Sequence, residues 1–235
     1  MVTPSDMVEW LNAIHDGRIV EVRALGIGRN GKGVASGYFD DYEKAVEAAL
    51  QLDAGGAEGV YQTLNEVHPG CIARSPNQIT ENPRVTTTDS DIVQRRWGLI
   101  DIDPVRPSGI SATDEEINNA RSVFDTVAGS VFGETIEAFS GNGWHLLFRP
   151  QPPFSSDEHI QSLLRNASEL CDWPGVATVD QSVWNLARIT KFYGTHACKG
   201  FAVADRPHRQ SYVFQINDRE QEAVQDDSGF TEYHG

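Results

Sequence analysis

The chain has 235 residues, of which 39% are hydrophobic, enough for a buried core, so disorder throughout is excluded. Its net charge of -15, taken by itself, argues against a nucleic-acid partner, since such proteins neutralise phosphates with an excess of Lys and Arg. No apolar run approaches the roughly 18 residues of a membrane span. The cysteines Cys71, Cys171 and Cys198 are scattered and show no CxxC spacing, which suits reduced thiols and predicts a cytoplasmic location.

Thr3-Pro4 reads as an N-cap and first helical residue, and Val8, Leu11 and Ile14 continue a helix over 4–15. A strand at 18–25, a Gly-rich turn at 26–33 and a strand at 34–39 form a predicted hairpin. Asp40 and Glu43 suggest a capping box for a helix to Leu52, closed by Gly55-Gly56 before a strand at 59–64. A long polar loop over 65–95 then leads to the apolar stretch 96–102, which reads as a buried strand. Thr113 and Glu116 cap a helix to about Val127, and strands at 135–140 and 144–149 flank a Ser-Gly-Asn-Gly turn. A helix at 156–171 and a strand at 211–216 complete a mixed α/β chain without repeats. Two lobes, approximately 1–80 and 81–217, are expected. Charge is uneven: residues 180–209 carry five basic and two acidic side chains. Residues 218–235 carry six carboxylates and one arginine, as in an acidic tail or linker.

Three segments could carry chemistry. In DIDP, strand alternation sends Asp101 and Asp103 to one face and Ile100 and Ile102 to the other. Paired carboxylates favour a hard, oxygen-seeking cation, although a lone DxD also fits a solvated strand edge. In SGNGWHLLF, the glycines allow close approach of backbone N–H groups to an anion, and His145 could hydrogen-bond phosphate or ligate a metal. An ordinary hairpin with a structural histidine fits the same residues. In VDQSVWNLARITKFYGT, Asp180 could complete a carboxylate triad. Asn185, Arg188 and Lys191 recur every three residues, and a helix over 184–191 would align them as a phosphate grip. GIGRNGKG at 26–33 approaches the Walker A pattern, but Gly33 replaces the metal-binding hydroxyl and a strand-like run follows, so no P-loop is expected.

Taken in order, DIDP, SGNGWH, VDQ and NLARITKFYGT resemble the archaeo-eukaryotic primase superfamily, specifically its bifunctional primase-polymerase branch of phages and plasmids. TTDSDI at 87–92, DPVRPSGISATDEE at 103–116 and the basic run at 199–211 also look like that branch, so the likeness spans roughly residues 60–212. It implies an α/β (α+β) catalytic core, with an N-terminal α/β lobe beside an RRM-like lobe built on a mixed or antiparallel sheet. It implies metal binding by Asp101, Asp103 and Asp180 to two divalent ions, Mg²⁺ or Mn²⁺. Ser140, Gly141, Gly143 and His145 would form a phosphate pocket, and Arg188 and Lys191 would hold the triphosphate with support from Asn185. Lys199, Arg206, His208 and Arg209 are further candidate nucleic-acid or phosphate contacts. Some plasmid relatives insert a zinc-binding stem that this chain lacks, so no zinc is expected.

The implied activity is template-dependent nucleotidyl transfer to a 3′-hydroxyl with release of pyrophosphate, the reaction of a DNA primase and DNA polymerase. Implied partners are single-stranded DNA template, primer, and dNTP or NTP. A helicase domain C-terminal to this region is a further candidate partner, and a phage-encoded protein would act in the host cell cytoplasm. The residues alone leave open a metal-dependent phosphodiesterase or nuclease, and a non-catalytic DNA- or nucleotide-binding replication module.

Overall fold

The computed structural model describes residues 2–28, 31–131, 133–152, 155–170 and 175–219, so the expectations for the tail beyond 219 and for Cys171 lie outside the described residues. Helix α1 (Pro4–His15) starts at Thr3, whose hydroxyl and Asp6 carboxylate form the two reciprocal bonds of a capping box. Strands β1 (Val20–Ile27) and β2 (Gly33–Phe39) pair as the predicted hairpin. Helix α2 (Tyr42–Ala54) is capped by Asp41, which accepts from Lys44 N at 3.2 Å. The expected Asp40 cap is displaced by one residue because Asp40 accepts instead from Asn77 Nδ2 at 2.6 Å.

Strand β3 (Gly59–Thr63) follows, and the stretch expected as a long loop contains β4 (Glu66–Val67), β5 (Thr80–Glu81), β6 (Ile92–Gln94) and 3-10 turns at Pro69–Arg74 and Asp89–Asp91. Then come β7 (Gly98–Pro104), α3 (Asp114–Ser130), β8 (Gly133–Phe139), β9 (Trp144–Phe148), α4 (Asp157–Leu170) and β10 (Ala177–Val179). Thr113 and Glu116 cap α3 by a capping box, as their spacing predicts. The chain continues with β11 (Ile189–Lys191), β12 (His196–Ala197), β13 (Arg209–Gln210) and β14 (Tyr212–Arg219).

Two five-stranded antiparallel sheets organise the described residues. The first, in order β11-β3-β1-β2-β5, packs on α1 and α2 through Met7, Leu11, Val22, Val46 and Val60. The second runs β10-β7-β9-β8-β14 and packs on α3 and α4 through Ile100, Ile102, Phe124, Leu146 and Leu164. Within it, β7-α3-β8-β9-α4-β10 is a β-α-β-β-α-β unit whose strands lie in the order fourth, first, third, second. The fold is thus mixed α/β with antiparallel sheets.

The expected helix over 184–191 is absent: 181–187 form turns and 189–191 join the first sheet as β11. Helical spacing yields here to an available strand edge, since β3 supplies ladder partners to the β-branched pair Ile189-Thr190. Strand β11 therefore belongs to the first sheet, although it lies far beyond residue 80. Immediately after it, Phe192 enters the core under the first sheet and Tyr193 enters the core under the second. Consecutive side chains thus pin the two halves together.

Candidate active site

The site lies on the face of the second sheet that its helices leave free. Strand alternation buries Ile100 and Ile102 and turns Leu99, Asp101 and Asp103 to the opposite face. Strand β9 sets His145 directly across from Asp101. On the other side, the Asp180 amide donates to the Asp101 carbonyl at 2.9 Å, extending the β7–β10 register by one residue. Opposed residues of an antiparallel pair project to one face with Cβ atoms about 5 Å apart. His145, Asp101 and Asp180 therefore stand abreast, with Asp103 one side-chain repeat farther along β7. All four line a cleft of about 360 Å³.

Each carboxylate has one anchored oxygen. Asp101 Oδ1 lies 3.4 Å from His145 Nε2, Asp103 Oδ1 accepts from Arg106 Nη1 at 2.9 Å, and Asp180 Oδ1 accepts from Ser182 N at 2.8 Å. Two hydroxyls face the other imidazole nitrogen, Tyr193 at 3.0 Å and Thr190 at 3.3 Å from Nδ1. Burial pushes the Tyr193 hydroxyl pKa up, so it remains a donor, which suits a ring whose proton sits on Nε2 and points at Asp101.

The electrostatics are unequal. Burial raises the Asp101 pKa, but His145, Arg106 and Arg188 outweigh it and hold the carboxyl below its ordinary value. Burial and the neighbouring Asp101 charge push the Asp103 carboxyl up. One carboxylate is thus compensated and the next is not, the situation that an added cation relieves. Among the described residues, no three His, Cys, Asp or Glu side chains already form a ligand set. Hard oxygen donors on adjacent positions of one face nonetheless fit a divalent ion, once their free Oδ2 atoms turn inward.

The turn Ser140–Gly143 closes one wall. Ser140 Oγ accepts from Gly143 N at 2.9 Å, and Asn142 accepts from Ala112 N at 2.9 Å, which fixes the loop before α3 to the turn. Gly141 has φ +99°, and a Cβ there would meet Ala197 Cβ at 2.6 Å. A Cβ on Gly143 would lie 2.6 Å from the Ile102 carbonyl and 3.1 Å from Asp103 Oδ1. Neither glycine lines the cleft, whereas Ser140 and Asn142 do.

Basic groups line the same cleft, together with Glu58. Arg188 Nη2 donates to the Ser182 carbonyl at 2.7 Å, and its Nε is buried without a partner. Lys191 is only 4% exposed, donates to the His196 carbonyl and stands 5.5 Å over the Tyr61 ring. Burial pulls its ammonium down to about 8. Arg188, Lys191 and Lys199 all line the cleft.

The remaining expected site residues lie elsewhere. Asn185 turns away and donates to Asp89 Oδ1 at 3.3 Å, an oxygen that also accepts from Ala187 N at 2.6 Å. Arg206 is committed to Glu116 through two 2.8 Å bonds, Arg209 to Asp114 and the Ala112 carbonyl, and His208 to the Gly200 carbonyl. Their carbonyl and carboxylate partners make them braces of the loops around the cleft. The residue that sequence reading passed over is Arg106, which reaches Asp103 from the DPVRPSG run; its only local signal is a basic residue between two prolines just past the DxD. Asp89 was hidden inside TTDSDI, and its contact with 185–187 spans nearly a hundred residues. No family model matches the chain, and no curated protein matches it.

Proposed function

We propose that the chain is a template-dependent nucleotidyltransferase of the primase-polymerase type, which adds nucleotides to a 3′-hydroxyl and releases pyrophosphate. The observation that carries this reading is the 2.9 Å bond from Asp180 N to the Asp101 carbonyl, which aligns three aspartates from two strands on one face of the cleft. Supporting it, Arg188, Lys191 and Lys199 line the same cleft, and Arg188 Nε is buried without a partner among the described residues, the kind of unsatisfied donor that calls for an anionic ligand. A nuclease would need the carboxylates but not a triphosphate grip. The β-α-β-β-α-β sheet beside a smaller α/β half also fits the RRM-like catalytic lobe of that family.

Asp101, Asp103 and Asp180 would hold the divalent ions. Two bound Mg²⁺ or Mn²⁺ ions would supply activation of the 3′-hydroxyl and neutralisation of phosphate charge. The protein's own groups do the rest. His145 Nε2 fixes the rotamer of Asp101, and Arg106 holds one oxygen of Asp103, so both carboxylates present their second oxygens in a set direction. Arg188 and Lys191 receive the negative charge of the triphosphate, and pairing Arg188 Nε would satisfy its missing bond. Gly143 lets the turn approach Asp103 closely enough to close the cleft.

The test is extension of a labelled primer on a single-stranded template with Mg²⁺ or Mn²⁺, supplying dNTPs and NTPs separately. Incorporation by the wild type and its loss in Asp101→Ala is expected. Cleavage of the DNA without any extension would replace this reading with the nuclease.

A further inference from the structure

We propose that Phe201, with Lys199, forms a stacking edge for a base of single-stranded nucleic acid at the mouth of the cleft; the inference rests on the polymerase reading for its partner but not for its geometry. Phe201 is 91% exposed, by far the most exposed large apolar side chain among the described residues. An isolated exposed apolar residue on a loose loop would mean little. This loop is braced at both ends and in the middle. Cys198 N donates to the Glu58 carbonyl at 2.9 Å, and His208 Nε2 donates to the Gly200 carbonyl at 3.0 Å. Val203 and Arg206 exchange backbone bonds, while the Arg206 guanidinium grips Glu116 and the Ser111 carbonyl.

Gly200, at φ +65°, sits so close to Gly109 that a Cβ would come within 2.1 Å of its carbonyl. The aromatic ring is therefore displayed on a fixed support. Lys199, two residues earlier, lines the cleft and makes no ion pair among the described residues. Of the basic residues between 198 and 210, Arg206 and Arg209 are paired with Glu116 and Asp114, which leaves Lys199 as the cation without an ion pair among the described residues. An exposed ring two residues along the chain from an ammonium that lines the acidic cleft matches the pattern of base stacking plus phosphate attraction used for unpaired strands. A protein partner would be served by the ring but would not need the adjoining cation.

The experiment is fluorescence anisotropy of a labelled oligo(dT) with no divalent metal and no nucleotide, so that its result is independent of catalysis. Phe201→Ala is expected to weaken binding about tenfold, since stacking on one base contributes roughly 1–3 kcal/mol. Phe201→Trp should bind as tightly as wild type, Phe201→Leu should stay weak, and Lys199→Ala should weaken binding and lower its salt dependence. Because the ring is exposed, Phe201→Ala should melt with the wild type. Phe201→Ala binding within twofold of wild type, Phe201→Leu restoring affinity, or no measurable oligo(dT) binding by the wild type would each overturn the proposal. If Asp101→Ala binds oligo(dT) normally while failing to extend primers, the two readings are separately supported; if wild type also fails to extend, only the polymerase reading falls.

Discussion

Glu21 in the first sheet and Asp103 in the second are both carboxylates on antiparallel strands, yet their surroundings are opposite. Glu21 is fully buried and receives Arg23 through two bonds of 2.9 and 2.7 Å, the Ser36 hydroxyl and the Thr87 amide. Burial raises its pKa, but those partners win and hold it below its ordinary value. Among the described residues Asp103 is hydrogen-bonded by Arg106 alone, and burial with the Asp101 charge pushes it up. The first carboxylate is a completed structural knot that ties the 87–91 segment to the sheet. The second is left short of positive charge beside another carboxylate, as the proposed metal site requires.

That contrast can be broken by exchanging stability for activity. Asp103→Asn should abolish primer extension, by more than the roughly 100-fold that losing a mere supporting partner costs, while its melting temperature stays level or rises because the like-charge contact is relieved. A clear fall in melting temperature would show Asp103 to be a brace. Glu21→Ala should do the reverse and cost about 3–5 kcal/mol by stranding Arg23 and its buried neighbours, read by denaturant unfolding. Unchanged stability would undo the distinction.

A next-largest effect separates the cleft's basic wall from the core. Arg188→Ala should raise the nucleotide KM about 10- to 100-fold, the value of a charge-assisted bond, with little change in the unfolding midpoint. Lys191, pulled down to about 8 by burial, is protonated below that pH and neutral above it. The kcat/KM for nucleotide should therefore fall as pH rises past about 8, and Lys191→Arg should remove that limb of the profile. A flat profile in the wild type would take Lys191 out of the phosphate grip.

The last effect is confined to the first half. His15 is buried against Gln62 at 3.0 Å, and burial lowers its pKa from 6.5 to about 4. Between those values the unfolded chain binds the proton and the native chain does not, so stability falls as pH drops from about 6.5 toward 4, by about 3 kcal/mol in full. Urea unfolding across that range should show the slope, and His15→Gln should flatten it. Extension activity at neutral pH should be untouched by the ionisation itself.

Legibility in the sequence followed the range of the interaction. Thr3-Pro4 and Thr113-x-x-Glu116 were readable because a cap is settled within four residues. The common face of Asp101 and Asp103 followed from the period of a strand. Asp180 could be named as a third carboxylate, but the register that sets it beside Asp101 depends on a long-range pairing that no local pattern encodes. Arg188 and Lys191 were misplaced on a helix because spacings of three imitate helical periodicity; the open edge of β3 decided otherwise. Arg206 and Arg209 are candidate phosphate contacts only through the resemblance of the 199–211 run, and the acidic partners that hold them lie about ninety residues away.

The most direct test is titration of Mn²⁺ into the wild type and into Asp180→Ala, followed by the electron paramagnetic resonance of free and bound ion. Saturable binding is expected in the wild type and sharply weakened binding in Asp180→Ala, with both proteins equally folded by circular dichroism. Unaltered Mn²⁺ affinity in Asp180→Ala would contradict it, because the residue aligned with Asp101 by the β7–β10 register would then have no share in holding the ion.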